Sequence, residues 1–126
     1  MSSRVVHFEI PFDDADRARS FYREVFDWQI QAIPDLNYNM VSTGPTSDQG
    51  MPTEPGFIGG GMLERQAPVT APVITVQVDD IDAALVAVEK HGGRALGEKL
   101  TVGGMGFAAY FNDSEGNLMG LWQNAG

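Results

Sequence analysis

Two segments of this chain share one design, and that repeat constrains the fold more than any other feature. Val5-Val6-His7-Phe8-Glu9-Ile10 leads through acidic Asp13-Asp14 into an amphipathic segment beginning Ala15-Asp16-Arg17-Ala18. Val73-Ile74-Thr75-Val76-Gln77-Val78 leads through Asp79-Asp80 into another, beginning Ile81-Asp82-Ala83-Ala84. The starts lie 68 positions apart in a chain of 126 residues. Two copies predict a pseudo-symmetric globule and not a solenoid, which needs several stacked units.

Each copy reads as strand, helix, then three strands. Val6, Phe8 and Ile10 alternate with Val5, His7 and Glu9, the period of a strand. Pro11 is expected to end that strand, and Asp13 or Asp14 to cap the helix that follows. From Ala15 to about Phe26, Ala18, Phe21, Tyr22 and Val25 fall at helical spacing, leaving Arg17, Arg19 and Arg23 on a solvated face. Trp28–Ile33, closed by Pro34-Asp35, and Tyr38–Ser42 read as strands. Residues 43–56 form a long loop of mobile composition. Phe57–Leu63 is a fourth strand, in which Gly59-Gly60-Gly61 permits a bend or the close approach of a ligand.

The second copy follows the same order. Ala84, Leu85 and Val88 give the inner face of a helix over Ile81–His91, and Gly92-Gly93 supplies its left-handed cap. His91 there suits the helix dipole. Strands follow near Ala95–Leu100, Phe107–Asn112 and Leu118–Gln123. The fold class is therefore α+β: two tandem βαβββ modules forming a curved, cleft-enclosing mixed sheet with helices on the outer face. One domain over residues 1–126 is expected, with module one at about 4–64, a linker at about 65–72 and module two at about 73–124.

Bulk properties narrow the function classes. An apolar content of 43% supports a real core, and a formal charge of −9 disfavours nucleic acid and anionic membrane surfaces as partners. The absence of cysteine removes disulfides, thiolate metal sites and cysteine nucleophiles. No apolar run approaches the roughly 20 residues that span a bilayer. Met1-Ser2-Ser3-Arg4 leads straight into a strand pattern without a signal peptide, so the expected location is cytoplasmic.

If Phe8 and Ile10 pack under one helix, and Ile74, Val76 and Val78 under the other, then His7, Glu9, Thr75 and Gln77 face the cleft. Polar side chains at those places must be hydrogen-bonded or wetted. The face is either simply solvated or the polar floor of a ligand pocket lined by Phe107, Trp122, Met105 and Met51. His7 beside Glu9 suits a general base held in one tautomer, or a plain hydrogen-bonded pair.

The βαβββ-βαβββ order resembles that of the vicinal oxygen chelate superfamily. So do Phe21-Tyr22-Arg23-Glu24-Val25-Phe26-Asp27-Trp28 and the run from Asn112-Asp113-Ser114-Glu115-Gly116-Asn117 to Leu118-Met119-Gly120-Leu121-Trp122-Gln123. That superfamily groups glyoxalase I, bleomycin-resistance proteins, fosfomycin-resistance enzymes and extradiol dioxygenases. The resemblance covers nearly the whole chain and implies a fold that hosts many chemistries. In metal-dependent members the ligands come from the first and last strands of each module. His7 matches one ligand position, Thr75 stands at a second, Gly120 stands where glutamate is usual, and the remaining position falls within Gly59-Gly60-Gly61. One imidazole does not hold a divalent ion, which takes three protein ligands even in an open site.

The expectation is a glyoxalase-like protein that binds a small organic molecule, with no cofactor and no protein-held metal. Whether it is an enzyme stays open. The alternatives are a metal-dependent lyase or dioxygenase using His7 and Glu9 with a divalent ion, and drug sequestration of the bleomycin-resistance type. A homodimer is implied by the resemblance alone.

Overall fold

The computed structural model describes residues 3–33, 37–48 and 50–126. Its chain divides into two compact units, residues 7–72 and residues 73–126 together with residues 1–6. The closure of a strand by Pro34-Asp35 lies outside the described residues.

The first unit contains most of β1 (Val5–Phe12), then α1 (Ala15–Phe26), β2 (Gln29–Ile33), β3 (Tyr38–Ser42) and β4 (Gly59–Glu64). The strands lie in the order β2-β3-β4-β1, with β1 parallel to β4 and the other pairs antiparallel. Asp14 caps α1 by accepting the Arg17 amide at 3.0 Å. Asp27 ends the helix at φ 57°, a left-handed conformation that aspartate tolerates better than most residues.

Pro11 does not end β1. The strand continues to Phe12, with Pro11 in register with Leu63. A parallel ladder draws its bonds from alternate residues. The Arg65 amide donates to the Phe12 carbonyl at 2.8 Å, so even-numbered residues of β1 turn their backbone groups toward β4. Pro11 turns away, and its missing N–H costs that ladder nothing.

The core of this unit is Ile30, Val41 and Met62, with Phe8, Ile10, Phe12, Ala18, Tyr22 and Trp28 packed against them. Tyr22 and Trp28 stack at 4.9 Å with planes 5° apart, and Phe8 meets Trp28 at 5.8 Å. Helix α1 buries no residue fully. Phe21 and Val25, expected inward, are each 54% exposed, while Ala18 and Tyr22 make the contact with the core.

Two of the expected solvated arginines reach back to the sheet. Arg19 donates to the Asn39 side chain at 2.9 Å, and Arg23 to the Ile30 carbonyl at 2.6 Å. Long guanidinium stems permit this, and buried Asn39 needs the partner. The long loop is more ordered than its composition suggests. Thr46 bridges Pro52, and bonds from Ser47 to Met51 (2.7 Å) and Thr53 to Pro45 (3.0 Å) fold it on itself.

The second unit contains β5 (Val73–Gln77), α2 (Ile81–Lys90), β6 (Arg94–Val102), β7 (Gly106–Asn112) and β8 (Leu118–Asn124). The strand order is β5-β8-β7-β6, and β5 runs parallel to β8. Asp80 caps α2 through the Ala83 amide at 3.2 Å, and Gln123 adds a second acceptor for the Ile81 amide at 2.8 Å. At the other end Gly92 takes φ +96° and the Gly93 amide returns to the Val88 carbonyl at 2.9 Å, the expected cap. His91 is exposed there.

Ile81, Ala109 and Leu121 form this core, with Val76, Val78, Ala84, Leu85, Phe107 and Phe111 against them. Ile74, expected under the helix, shares the face of Val76 but is exposed, since it precedes the part of β5 that α2 covers. The β7–β8 turn is held by Asp113, which accepts the Glu115 and Asn117 amides at 2.9 Å each. The Asn117 side chain, then those amides, hold the Asp113 carboxyl below the usual carboxylate range. Among the described residues, no helix is long and apolar enough to cross a membrane.

Candidate functional site

Strand alternation turns Phe8, Ile10 and Phe12 toward α1 and sends His7 and Glu9 to the opposite face of β1. There the parallel register sets His7 beside Gly59 and Glu9 beside Gly61. Tyr38, at the start of β3, spans the two polar residues. Its hydroxyl donates to Glu9 Oε2 at 2.9 Å and lies 2.9 Å from His7 Nε2. The imidazole and phenol planes are 16° apart, with centroids separated by 6.4 Å.

Glu9 is only 8% exposed, so its carboxyl has left bulk water and depends on such partners. Burial pushes the His7 imidazole below its usual range, and the Glu9 charge pulls it part of the way back. The imidazole is therefore biased toward its neutral form, able to accept a proton or a hydrogen bond.

The glycine run is filled by the chain's own rings. Successive residues of a strand face opposite sides, so Gly60 and Gly61 leave space on different faces. A Cβ on Gly60 would overlap the Phe8 ring, and one on Gly61 would overlap the Tyr38 phenol. The expected bend or ligand approach at these glycines is replaced by two aromatic insertions. Tyr38 was not a predicted site residue. Its role depends on a reach from β3 over β4 to β1, which one-dimensional periodicity does not register.

In the second unit Thr75 is buried and pairs with Gly120, while Gln77 pairs with Trp122. A Cβ on Gly120 would lie 2.7 Å from Thr75 Oγ1, so the threonine hydroxyl occupies that space. Trp122 donates through Nε1 to Asn124 Oδ1 at 2.8 Å. Tyr110 pairs with Gly120 and so shares the Thr75 face, another aromatic that sequence reading passed over.

Phe107 does not share that face. It pairs with Gln123, one residue out of step with Trp122, and packs in the cluster beneath α2. One position along a strand exchanges faces, and aromatic character alone does not say which face a residue takes. Met51 and Met105 are 62% and 64% exposed, on turns and not on the strands that carry the polar residues. The candidate residues thus divide between the units: His7, Glu9 and Met51 in the first, Thr75, Gln77, Met105, Phe107 and Trp122 in the second.

The residues present do not fit a divalent metal. The parallel registers make Gly59 the counterpart of Gly120, since each lies beside the first-strand position of its unit, His7 or Thr75. Neither glycine offers a ligand, and the Nε2 of His7 is engaged by Tyr38. Among the described residues, no three His, Cys, Asp or Glu side chains come together. A cavity of about 350 Å³ in the first unit is lined by Phe12, Asp13, Arg19, Tyr38, Asn39 and Glu64 among others; it includes Tyr38 but not His7 or Glu9.

With this geometry in place, known proteins supply a frame. Residues 4–44 match the family described as bleomycin resistance protein-like N-terminal. A glyoxylase-like domain-containing protein of Didymella fabae is 29% identical, across all of this chain and 98% of its own length. Among solved structures, a Streptomyces coelicolor methylmalonyl-CoA epimerase in complex with 2-nitronate-propionyl-CoA shares the fold at TM-score 0.67 and 20% identity, with both chains fully covered. A glyoxalase/bleomycin resistance protein/dioxygenase superfamily member from Vibrio splendidus does so at TM-score 0.60 and 16% identity, over 98% of this chain and 99% of its own. The matched segment and the full-length relative make the chain similar to bleomycin-resistance-like and glyoxylase-like proteins, and the solved structures share its α+β fold.

Proposed function

We propose that this protein binds a small organic molecule at the face carrying His7, Tyr38 and Glu9, without a protein-held metal ion. The hydrogen-bonded chain from His7 through Tyr38 to Glu9 carries the reading. A polar array this buried is costly to assemble unless something uses it, because each member surrenders water and must be satisfied by another. An imidazole and a phenol beside one carboxylate suit orientation of a polar ligand better than charge compensation of a metal.

A second reading, proton transfer at carbon, is favoured by one observation. A burial-lowered imidazole hydrogen-bonded toward a carboxylate has the arrangement of a general base. Its structural relatives include epimerases solved with methylmalonyl-CoA. Drug sequestration gains support from the family match over residues 4–44 and from the charge of −9, which favours cationic drugs.

Metal analysis of the purified protein, with calorimetric titrations of methylmalonyl-CoA and bleomycin, tests these readings. Stoichiometric, tightly held zinc, nickel, manganese or iron that is lost in His7→Ala would replace the main reading with the metal-dependent one. Saturable binding weakened in His7→Ala, with no metal bound, is the result expected.

A further inference from the structure

We propose that Tyr38 is the positioning residue of this site: its phenol, admitted by the missing side chain at Gly61, holds His7 as the Nε2–H tautomer and presents Nδ1 to a ligand. The proposal deepens, and rests on, the reading of this face as the ligand site.

The argument counts hydrogens. A carboxylate only accepts, and a phenol carries one hydrogen. The Tyr38 hydroxyl spends that hydrogen on Glu9 Oε2 at 2.9 Å. The lone pairs of the phenol oxygen then face His7 Nε2, also at 2.9 Å, and a contact of that length needs a hydrogen between the two atoms. Only Nε2 can supply it. A neutral imidazole has one N–H, so Nδ1 is left as the acceptor, and no hydrogen bond to it is present among the described residues. The nearly parallel rings, 16° apart, fix the plane in which Nδ1 lies.

Gly61 makes the arrangement possible. Glu9 lies beside Gly61 on one edge of β4, and Met40 lies opposite it on the other, two residues beyond Tyr38. The phenol crosses this gap diagonally, and any side chain at Gly61 would overlap it. The glycine that removes a side chain from β4 is thus the one that lets a hydroxyl enter from β3. A ligand matched to Nδ1 brings a hydrogen-bond donor: an alcohol, an amine, an amide N–H or a carbon acid surrendering its proton. A group that only accepts, such as a bare carboxylate or ketone oxygen, leaves Nδ1 unmatched.

The test is nitrogen-15 and proton NMR of the ligand-free protein. It has two histidines, His7 and His91, and exposed His91 serves as the reference. The expected result is an Nε2-bound proton on His7 protected from solvent exchange, with a bare Nδ1. Tyr38→Phe should speed that exchange by about tenfold or more, since the acceptor is gone, and Gly61→Ala should do the same by expelling the phenol. A neutral His7 carrying its proton on Nδ1 in the unaltered protein would overturn the proposal, because the chain would then run from a protonated Glu9 toward His7. Unchanged protection in a folded Tyr38→Phe protein would overturn it equally. No ligand is needed, so failed titrations of methylmalonyl-CoA and bleomycin would remove the ligand-site reading and leave the tautomer result standing.

Discussion

The first strand of residues 7–72 presents His7 and Glu9 beside Gly59 and Gly61, whereas that of residues 73–126 presents Thr75 and Gln77 beside Gly120 and Trp122. The backbone pairing is the same in both, parallel and in matching register. What differs is how a missing side chain is replaced. At Gly61 the space is taken by a phenol from another strand, which ties an imidazole to a carboxylate. At Gly120 it is taken by the hydroxyl directly alongside on β5. One repeat has become a charged, long-range network and the other a short neutral contact. The helices differ too: α1 rests on aromatic rings and buries nothing fully, while α2 seats Ile81 at zero exposure.

The largest effect expected from this contrast lies under the helices. Ile81→Ala should cost about 3 kcal/mol, as buried aliphatic truncations do. Phe21→Ala on the exposed side of α1 should cost about 0.5 kcal/mol. Urea midpoints of the two variants measure the difference, and equal costs would erase the asymmetry.

Next come the glycines. Gly61→Ala should destabilise by up to about 3 kcal/mol, because the rigid phenol cannot yield without breaking its bonds to His7 and Glu9. Gly120→Ala should cost about 1 kcal/mol, because only one hydroxyl must turn aside. Tyr38→Ala in the Gly61→Ala background should recover part of the first loss and would be neutral if the clash lay elsewhere. The helix caps are a control for equivalence, since Asp14→Ala and Asp80→Ala should each cost about 1 kcal/mol.

A smaller, pH-dependent effect separates His7 from Thr75. Folding lowers the affinity of His7 for its proton, so the unfolded chain binds more protons just below the ordinary value of 6.5. The stabilisation is complete above that value and is lost as pH falls toward the lower folded value. His7→Gln should flatten the fall in melting temperature over that window, while Thr75→Val should leave its slope unchanged. The smallest expected effect is local. Asp113→Ala should accelerate amide exchange at Glu115 and Asn117 without moving the core.

Much of the fold was legible because its signals are local. Helix α1 was expected from Ala15 to about Phe26 and runs over those residues, since the cap and the helical spacing are both written in neighbouring positions. Pro11 misled because its effect depends on which edge of β1 its nitrogen faces, and that is a property of the pairing. Phe107 misled for a related reason: its face follows from the register with Gln123 and not from its hydrophobicity. His7 and Glu9 could be found from alternation, but the residue joining them could not.

By itself the sequence determined two βαβββ units, their caps and cores, and the drift of His7 and Glu9 to Thr75 and Gln77. Those follow from periodicity and from side-chain chemistry read along the chain. The tertiary structure decided what fills the glycine gaps. Tyr38 reaches Glu9 across 29 intervening sequence steps and His7 across 31, and only strand pairing brings such distant positions within a hydrogen bond.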